Sequence, residues 1–306
     1  MAWSEAEIPD QSGRVAVVTG GNGGLGLHTA RMLAAKGASV VIAARNAEKA
    51  EGALATIRAA VPDAKVEVWP LDLSSLASVR AFAQRWLGER GTIDVLVNNA
   101  GVMAIPRTLS VDGFEMQLAT NHIGHFALTL GLMPALQQAP AARVVTVSSG
   151  MHWVGSLHID DLDGTKGYEP WTWYAQSKLC NLLFTAELDR RLRSAKSAVA
   201  SLSAHPGYAA TDLQQVGPRQ SGSKFVSGVF GIGNALFAQS AADGALPSVR
   251  AATDPGAQGG DFFGPRVLSW FGAPERSPRS SAAKDPALAL SLWEESERRT
   301  GLSLAV

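Results

Sequence analysis

Tyr174 and Lys178 are the pair of residues whose types and spacing most directly suggest chemistry. They lie four positions apart in a predicted helix over Trp173–Arg193, so both side chains project from the same face. A free tyrosine has a pKa of about 10, too high for efficient proton exchange at neutral pH. A neighbouring ammonium favours the phenolate, and lowering the pKa by about 3 needs about 4 kcal/mol of differential stabilisation. Such a pair is common on surfaces, so its role as a general acid/base depends on its neighbours.

Two serines supply that context. Ser148 and Ser149 directly follow a predicted strand over Arg143–Val147. Ligands of open α/β sheets bind beyond the carboxyl ends of the strands, which is where these hydroxyls are expected. Serine, tyrosine and lysine together predict a site that exchanges a proton with a bound oxygen.

A glycine-rich segment over residues 19–26 follows the first predicted strand and opens the first predicted helix. Glycines there let the backbone approach a pyrophosphate, while the helix N-terminus offers free N–H groups. Two registers fit, one using Gly21, Gly23 and Gly26, the other using Gly20, Gly24 and Gly26. An ordinary tight turn is the alternative. No Lys-Ser/Thr follows the glycines, which excludes a nucleoside triphosphatase loop.

Arg45 follows the second predicted strand, Ser39–Ala43, at the position that reads the cofactor ribose. A carboxylate there would bind the 2′-hydroxyl of NAD, whereas a basic residue accepts a 2′-phosphate. The segment contains no carboxylate, so Arg45 favours NADP(H) over NAD(H). A solvent-facing arginine at a helix start is the alternative.

Short β-rich runs alternate with longer Ala/Leu-rich stretches along the chain. Near-continuous apolar strands separated by helices predict a doubly wound parallel sheet covered on both faces. No Gly/Ser linker divides the chain, so we expect one domain over residues 1–306 with a substrate-loop insertion around 212–240. The predicted strands are Val15–Val18, Ser39–Ala43, Lys65–Trp69, Ile93–Val97, Arg143–Val147, Ala198–Ser203 and Gly260–Phe263. The predicted helices are Gly26–Ala35, Ala47–Ala60, Leu76–Arg90, Val111–Leu136 and Trp173–Arg193.

Composition excludes several classes of protein. The 306 residues carry 27 basic and 27 acidic side chains, and this balance argues against a nucleic-acid or anionic-membrane binder. The single cysteine, Cys180, rules out an intramolecular disulfide framework. The sequence contains no uninterrupted run of about 18 apolar residues, so a membrane-spanning helix is not expected. His122, His125 and His205 lack carboxylate or cysteine partners at ligand spacing, so we expect packing or loop roles rather than a metal site. A cytoplasmic location is expected.

The chain resembles the short-chain dehydrogenase/reductase family. The matching segments occur in family order over residues 13 to about 212. They are Thr19-Gly20-x-x-x-Gly24-x-Gly26, Asp72-Leu73, Asn98-Asn99-Ala100-Gly101, Asn121, Val147-Ser148-Ser149, Tyr174-x-x-x-Lys178 and Pro206-Gly207. The context around them is similar to the retinol dehydrogenase-like branch, which also resembles protochlorophyllide reductases. The resemblance implies a Rossmann fold and an oxidoreductase.

The resemblance also implies roles for the matched positions. Tyr174 would be the general acid/base, and Lys178 would hold the nicotinamide ribose and lower the tyrosine pKa. Ser149, with Ser148 as the alternative, would bind the substrate oxygen, and Asn121 would hold a water in a relay to Lys178. Together with Arg45, the expected cofactor contacts are Gly20, Asn22, Gly24, Leu25, Gly26, Asp72, Leu73, Asn99, Ala100, Gly101, Tyr174, Lys178, Pro206, Gly207 and Thr211.

Three tryptophans flank the serine and tyrosine along the chain. Trp153, Trp171 and Trp173 would form an apolar pocket wall, with ordinary packing as the alternative. Such a wall favours a small apolar carbonyl or alcohol as the substrate. The apolar stretch Val226–Phe237 would be a flap on that pocket.

The sequence therefore predicts an NADP(H)-dependent oxidoreductase that interconverts a carbonyl and an alcohol by hydride transfer. One alternative is a non-catalytic NADP-binding regulator on the same fold, since a fold alone does not fix a function. Another is an NADPH-dependent reductase of a C=C bond. Association into a homo-oligomer is also expected, without a preferred number of copies.

Overall fold

The computed structural model describes residues 2–208 and 239–305. Thr211, the flap over Val226–Phe237 and nearly all of the expected insertion around 212–240 lie outside these ranges. Within them, no helix is both long enough and apolar enough to cross a membrane.

Among the described residues, an eight-stranded sheet forms the centre of the protein, with strand order β3-β2-β1-β4-β5-β6-β7-β8. Strands β1 to β7 are parallel, and β8 pairs antiparallel with β7 at the edge. This confirms the predicted doubly wound sheet. The strands are β1 Val15–Thr19, β2 Ser39–Ala44, β3 Val66–Pro70, β4 Val95–Asn98, β5 Arg143–Val147, β6 Ala200–Ala204, β7 Phe262–Val267 and β8 Phe271–Arg276.

Helices cover both faces of the sheet, as apolar strands require. One core contains side chains of α1, α2 and α7, and the other contains side chains of α3, α5, α6 and α8. The helices of residues 2–208 and 239–305 are α1 Gly24–Ala35, α2 Ala47–Ala60, α3 Leu76–Glu89, α4 Met116–Leu118, α5 Gly124–Gln137, α6 Pro170–Ser194, α7 Ala241–Thr253 and α8 Pro286–Thr300. A π-helical turn, Ala119–Ile123, joins α4 to α5.

The predicted helix over Val111–Leu136 begins later than expected. Leu109 and Glu115 form an isolated antiparallel bridge, and Gly113 has a φ of 83°. This turn ends where the Glu115 carboxylate accepts the backbone N–H groups of Gln117 and Leu118 and caps α4. The cap fixes the start of the helix at Met116.

The carboxyl-terminal part contains elements that the sequence pattern did not indicate. The segment 273–281 reads as a loop because of its proline and polar residues, yet Phe271–Arg276 forms β8. Pro274 is tolerated because β8 is an edge strand. Helix α8 starts with Asp285 as its N-cap and Pro286 at its first turn, a favourable combination.

Candidate active site

The carboxyl ends of the central parallel strands border a cavity of about 1310 Å³. Strand β1 lies between β2 and β4, so the cavity sits where the order of the strands reverses. Except for Asn121, the predicted site residues within the described ranges all line it. These are Gly20, Asn22, Gly24, Leu25, Gly26, Arg45, Asp72, Leu73, Asn99, Ala100, Gly101, Ser149, Tyr174, Lys178, Pro206 and Gly207.

The glycine-rich loop forms one wall of the cavity. Gly20 has a φ of 65° and Gly24 a φ of 49°, a region that glycine enters without strain. A Cβ at Gly26 would clash with the Gly20 carbonyl oxygen and lie 2.5 Å from Asn99 Nδ2. The N-cap of α1 is Gly23, which has no side chain to cap the first turn. This cradle suits the pyrophosphate of a dinucleotide because backbone N–H groups and the helix dipole favour an anion there.

Thr19 ties this loop to the segment after β4. Its hydroxyl oxygen accepts the N–H groups of Asn99 at 2.9 Å and Ala100 at 3.0 Å. The Asn99 side-chain amide donates to the Thr19 carbonyl oxygen at 2.8 Å. The two loops that the resemblance places along the cofactor are thus held together before any ligand binds.

A basic cluster borders the far end of the cavity, beyond β2. The Arg45 side chain is 70% exposed, and its guanidinium lies 4.0 Å from an Asp72 carboxylate oxygen. Lys49, in the first turn of α2, also lines the cavity. The sequence reasoning missed Lys49, although a second basic residue one turn after Arg45 was a usable signal. Two cations at this end suit a 2′-phosphate.

Tyr174 and Lys178 come from the first half of α6 and are both buried, with 5% and 4% of their surface exposed. Lys178 Nζ lies 5.7 Å from the centroid of the tyrosine ring and donates to the Val147 carbonyl oxygen at 3.2 Å. Ser149, which also lines the cavity, lies close enough to Tyr174 to lower the pKa of its phenol. Ser148 differs, because its hydroxyl donates to the Lys178 carbonyl oxygen at 2.7 Å. Of the two serines, Ser149 is the one that acts on the tyrosine.

Burial controls the protonation of these groups. It raises the pKa of Tyr174 to about 12, while Ser149 acts in the opposite direction. It lowers the pKa of Lys178 to about 8. The lowering of the tyrosine pKa by Lys178 stays a prediction, and burial sets the net direction of the shift. Removing a phenolate from water is the dominant effect, and the lysine itself holds its proton less firmly.

Asn121 does not line the cavity. It lies in the π-helical turn, where its amide nitrogen donates to the Val102 carbonyl oxygen and to the Ser177 hydroxyl, each at 2.9 Å. Its side-chain oxygen accepts the Val102 N–H at 2.8 Å. A Cβ at Gly101 would lie 3.0 Å from that oxygen and 3.6 Å from Lys178 Nζ. Asn121 thus approaches the lysine from behind the cavity wall.

The three tryptophans do not form a common wall. Trp171 lines the cavity and packs edge-on against Tyr174, with ring centroids 6.2 Å apart. Trp173 turns away, stacks on His158 and donates to the Leu162 carbonyl oxygen. Trp153 is exposed. Successive positions on a helix face different directions, which separates Trp171 from Trp173. The apolar lining comes instead from Met103, Ile105, Pro106, Met116 and Met151 beside Trp171.

The histidines occupy packing positions. His122 Nε2 bonds with the Ser296 hydroxyl at 2.9 Å, and burial lowers its pKa to about 3. His205 Nδ1 accepts the Gly207 N–H at 3.2 Å, and burial lowers its pKa to about 3 as well. Among residues 2–208 and 239–305, no group of three or more His, Cys, Asp or Glu side chains could hold a metal ion.

Residues 14–221 match the short chain dehydrogenase family. Human retinol dehydrogenase 11 is 37% identical over 303 residues, covering 98% of this chain and 89% of that protein. Mouse polyprenol dehydrogenase is 40% identical over 298 residues, covering 96% and 86%. An uncharacterised protein from Mycobacterium paratuberculosis is 41% identical, with a TM-score of 0.83 and 100% of both chains covered. Matched structures of short-chain dehydrogenases include complexes with NADP and with NAD.

These similarities cover most of the chain and agree with the architecture of the sheet. The protein belongs to the short-chain dehydrogenase/reductase family, and it is similar to the retinol dehydrogenase-like branch. It is therefore an oxidoreductase with a nucleotide-binding Rossmann fold.

Proposed function

We propose that this protein is an NADP(H)-dependent oxidoreductase that interconverts an apolar carbonyl and its alcohol. The observation that carries the proposal is one continuous cavity with Ser149 and the buried Tyr174 and Lys178 at one end, and Arg45 and Lys49 at the other.

The cofactor would lie along the residues that line this cavity. The glycine-rich loop and the start of α1 would hold the pyrophosphate, and Asn99 to Gly101 would border the nicotinamide-ribose half. Arg45 and Lys49 would bind the 2′-phosphate, because two cations near a phosphate act through charge-assisted hydrogen bonds. Bound NADP(H) supplies the hydride chemistry that amino-acid side chains lack.

The protein would contribute orientation and proton transfer. The Ser149 hydroxyl would hydrogen-bond the substrate oxygen next to the Tyr174 phenol. Because burial raises the tyrosine pKa to about 12, the phenol holds its proton at neutral pH and acts as the acid in carbonyl reduction. The Lys178 ammonium would stabilise the phenolate left after proton transfer. Asn121, behind it, would hold a water that returns a proton to Lys178.

An apolar substrate class follows from the lining of the cavity. Met103, Met151 and Trp171 border the space in front of Tyr174. Methionine side chains adapt to irregular apolar shapes, so this wall suits flexible or polyene chains more than charged metabolites. The names of the relatives, retinol and polyprenol dehydrogenases, support apolar isoprenoid alcohols or aldehydes as the first compounds to test.

The deciding experiment compares the wild type with Tyr174→Phe in NADPH consumption, using retinal and a series of apolar aldehydes and ketones. We expect turnover in the wild type and a loss of about 10²- to 10⁴-fold in kcat for the variant, because a general acid/base contributes about that much. Tyr168→Phe is the matched control. Its hydroxyl lies outside the cavity and bonds with Glu115 and Gln117, so its loss should lower stability and spare turnover.

Two results would contradict the proposed interconversion of a carbonyl and an alcohol. Wild-type binding of NADPH without turnover across the series would favour a regulator on the same fold. A product in which a C=C bond has been reduced and the carbonyl retained would identify the alternative reductase.

A further inference from the structure

His125 has no assigned role in the reaction, yet it is the buried group that connects the two halves of the site. It is the second residue of α5, one helical turn after Asn121, and its surface is 1% exposed. It does not line the cavity. Its Nδ1 lies 3.1 Å from the Asn121 carbonyl oxygen, and its Nε2 lies 2.9 Å from the Thr19 hydroxyl.

The partners of the ring determine where its proton sits. A carbonyl oxygen only accepts, so Nδ1 must carry the hydrogen that is donated to Asn121. Burial lowers the pKa of His125 to about 4, with the Lys178 charge acting in the same direction, so the ring is neutral near pH 7. In a neutral ring the second nitrogen is an acceptor. Nε2 therefore accepts the hydrogen of the Thr19 hydroxyl.

This arrangement also determines what Thr19 can do. Its hydroxyl hydrogen points at His125 over 2.9 Å, in preference to the Val97 carbonyl oxygen at 3.3 Å. The two lone pairs of the oxygen are then free for the N–H groups of Asn99 and Ala100. A chain of directed hydrogen bonds runs from the cofactor-side loops through His125 to the backbone of Asn121.

We propose that His125, as a neutral ring protonated on Nδ1, is a positioning residue that fixes the loops at Thr19 and Asn99 relative to Asn121. The inference rests on the proposed function, because it assigns the Thr19 contact to cofactor binding and the Asn121 contact to the proton relay at Lys178. Substitutions of His125 should then change the Kd for NADPH and kcat independently, whereas a loss of general packing would change both together.

Two substitutions divide the contacts of the ring. In His125→Asn the amide reaches the position of Nδ1, so the donor to Asn121 is kept and the contact with Thr19 is lost. In His125→Gln the longer amide reaches the position of Nε2, so the Thr19 contact is kept and the donor to Asn121 is lost. For His125→Asn we expect the Kd and KM for NADPH to rise about tenfold with kcat within about threefold. For His125→Gln we expect kcat to fall about tenfold with the Kd for NADPH within about threefold.

His122→Asn and His122→Gln are the matched controls. His122 is as buried as His125 and bonds with Ser296 of α8, away from both loops. These controls should lose thermal stability without separating Kd from kcat. Equal changes of Kd and kcat in the two His125 variants, or a pattern that matches the His122 variants, would overturn the proposal.

A third measurement needs no variant. In ¹⁵N-histidine spectra of the wild type, the ring in contact with Thr19 should remain the neutral Nδ1–H tautomer between about pH 5 and pH 8. An Nε2–H tautomer or a charged ring would overturn the proposal, and this spectrum decides the question if a variant does not fold. Kd is measured by calorimetry without substrate. The calorimetric result and the ring spectrum therefore decide the inference even if Tyr174→Phe shows that the proposed catalytic function is wrong.

Discussion

Burial shifts the pKa values of Tyr174 and Lys178 in opposite directions, so that the neutral form of each side chain is favoured. The tyrosine keeps its proton more firmly than in water, and the lysine keeps its own less firmly. A phenol that is protonated beside a lysine with a pKa of about 8 can give up its proton and regain one from its neighbour. Each buried group is thereby also a potential source of instability, which gives a test that requires no substrate.

Lys178→Met should stabilise the cofactor-free protein while removing activity. Burial lowers the lysine pKa from 10.5 to about 8, so between these values the unfolded chain binds a proton that the folded protein does not. The free energy of unfolding of the wild type therefore rises with pH across this window. At pH 7 the buried charge costs about 3 kcal/mol, of which about 1 kcal/mol is offset by the hydrogen bond to Val147 that the variant loses. Urea unfolding at pH 7 should give a gain of about 2 kcal/mol.

The pH dependence is the sharper part of that test. The advantage of Lys178→Met should shrink above pH 8 and be gone well above pH 10.5, where the lysine is neutral in both the folded and the unfolded wild type. Lys65→Met is the control, because Lys65 is exposed. A variant that is less stable than the wild type at pH 7, or whose advantage does not depend on pH, would contradict the assignment of a buried charged lysine.

Cofactor preference is the second prediction at the level of residues. Arg45→Asp and Lys49→Ala should each weaken NADPH binding much more than NADH binding, because only the former carries the 2′-phosphate. A lost charge-assisted contact of about 1.5–3 kcal/mol corresponds to about 10- to 100-fold in Kd. Calorimetric titration of both cofactors measures the two effects.

Arg80→Asp controls for the change in net charge. Arg80 is exposed on α3 and does not line the cavity. Equal weakening of NADPH and NADH binding by Arg45→Asp would contradict the role of Arg45. If Arg80→Asp weakened NADPH binding as much, the effect of Arg45→Asp would be explained by the change in net charge and not by a direct contact.

At the level of elements, the start of α1 and the segment after β4 approach each other so closely that a side chain at Gly26 would not fit between them. The absence of a Cβ at Gly26 leaves room for the Gly20 carbonyl oxygen and the Asn99 amide. The site is therefore preorganised by contacts between loops, with Thr19 as the shared partner.

Gly26→Ala should destabilise the protein by about 3 kcal/mol, because the new methyl group forces these loops apart. NADPH affinity should fall with it. Gly52→Ala is the matched control, since Gly52 lies in α2 and a Cβ there would meet nothing within 4 Å. This control should gain about 0.5–1 kcal/mol from helix propensity. Chemical unfolding and NADPH titration measure both variants, and similar effects of the two would disprove the close approach.

For the whole molecule, α8 completes one of the two cores from the end of the chain. The Trp293 indole packs against Phe126 and Phe184, with ring centroids 5.0 and 6.0 Å away. Arg299 extends the attachment through an ion pair with Asp163 at 2.8 Å. The helix that the sequence pattern did not indicate thus holds α5 and α6, which carry the residues behind the active site.

Trp293→Ala should lower the free energy of unfolding by about 3–5 kcal/mol, because it opens a large cavity in this core. Leu290→Ala, on the exposed side of the same helix, should change it by less than about 0.5 kcal/mol. Urea unfolding followed by circular dichroism compares the two. A small loss for Trp293→Ala would mean that α8 is only loosely attached.

The cytoplasmic location and the homo-oligomer stay predictions, and sedimentation of the purified protein tests the latter.

The order of the motifs determined the fold class and about half of the residues that line the cavity from sequence alone. Glycines after β1, Asn99 to Gly101 after β4 and the serines after β5 must meet, because the carboxyl ends of parallel strands share one edge of the sheet. Local chemistry at strand ends is enough to predict such a site, provided that the alternation of strands and helices is recognised.

Tertiary structure decided everything that depends on direction and burial. It placed Asn121 behind the cavity wall, stacked Trp173 on His158 and left Trp153 exposed. The burial that raises the net pKa of Tyr174 also comes from this packing. Sequence spacing specifies which residues share an element, whereas the side-chain surroundings that set solvation arise only when distant elements pack together.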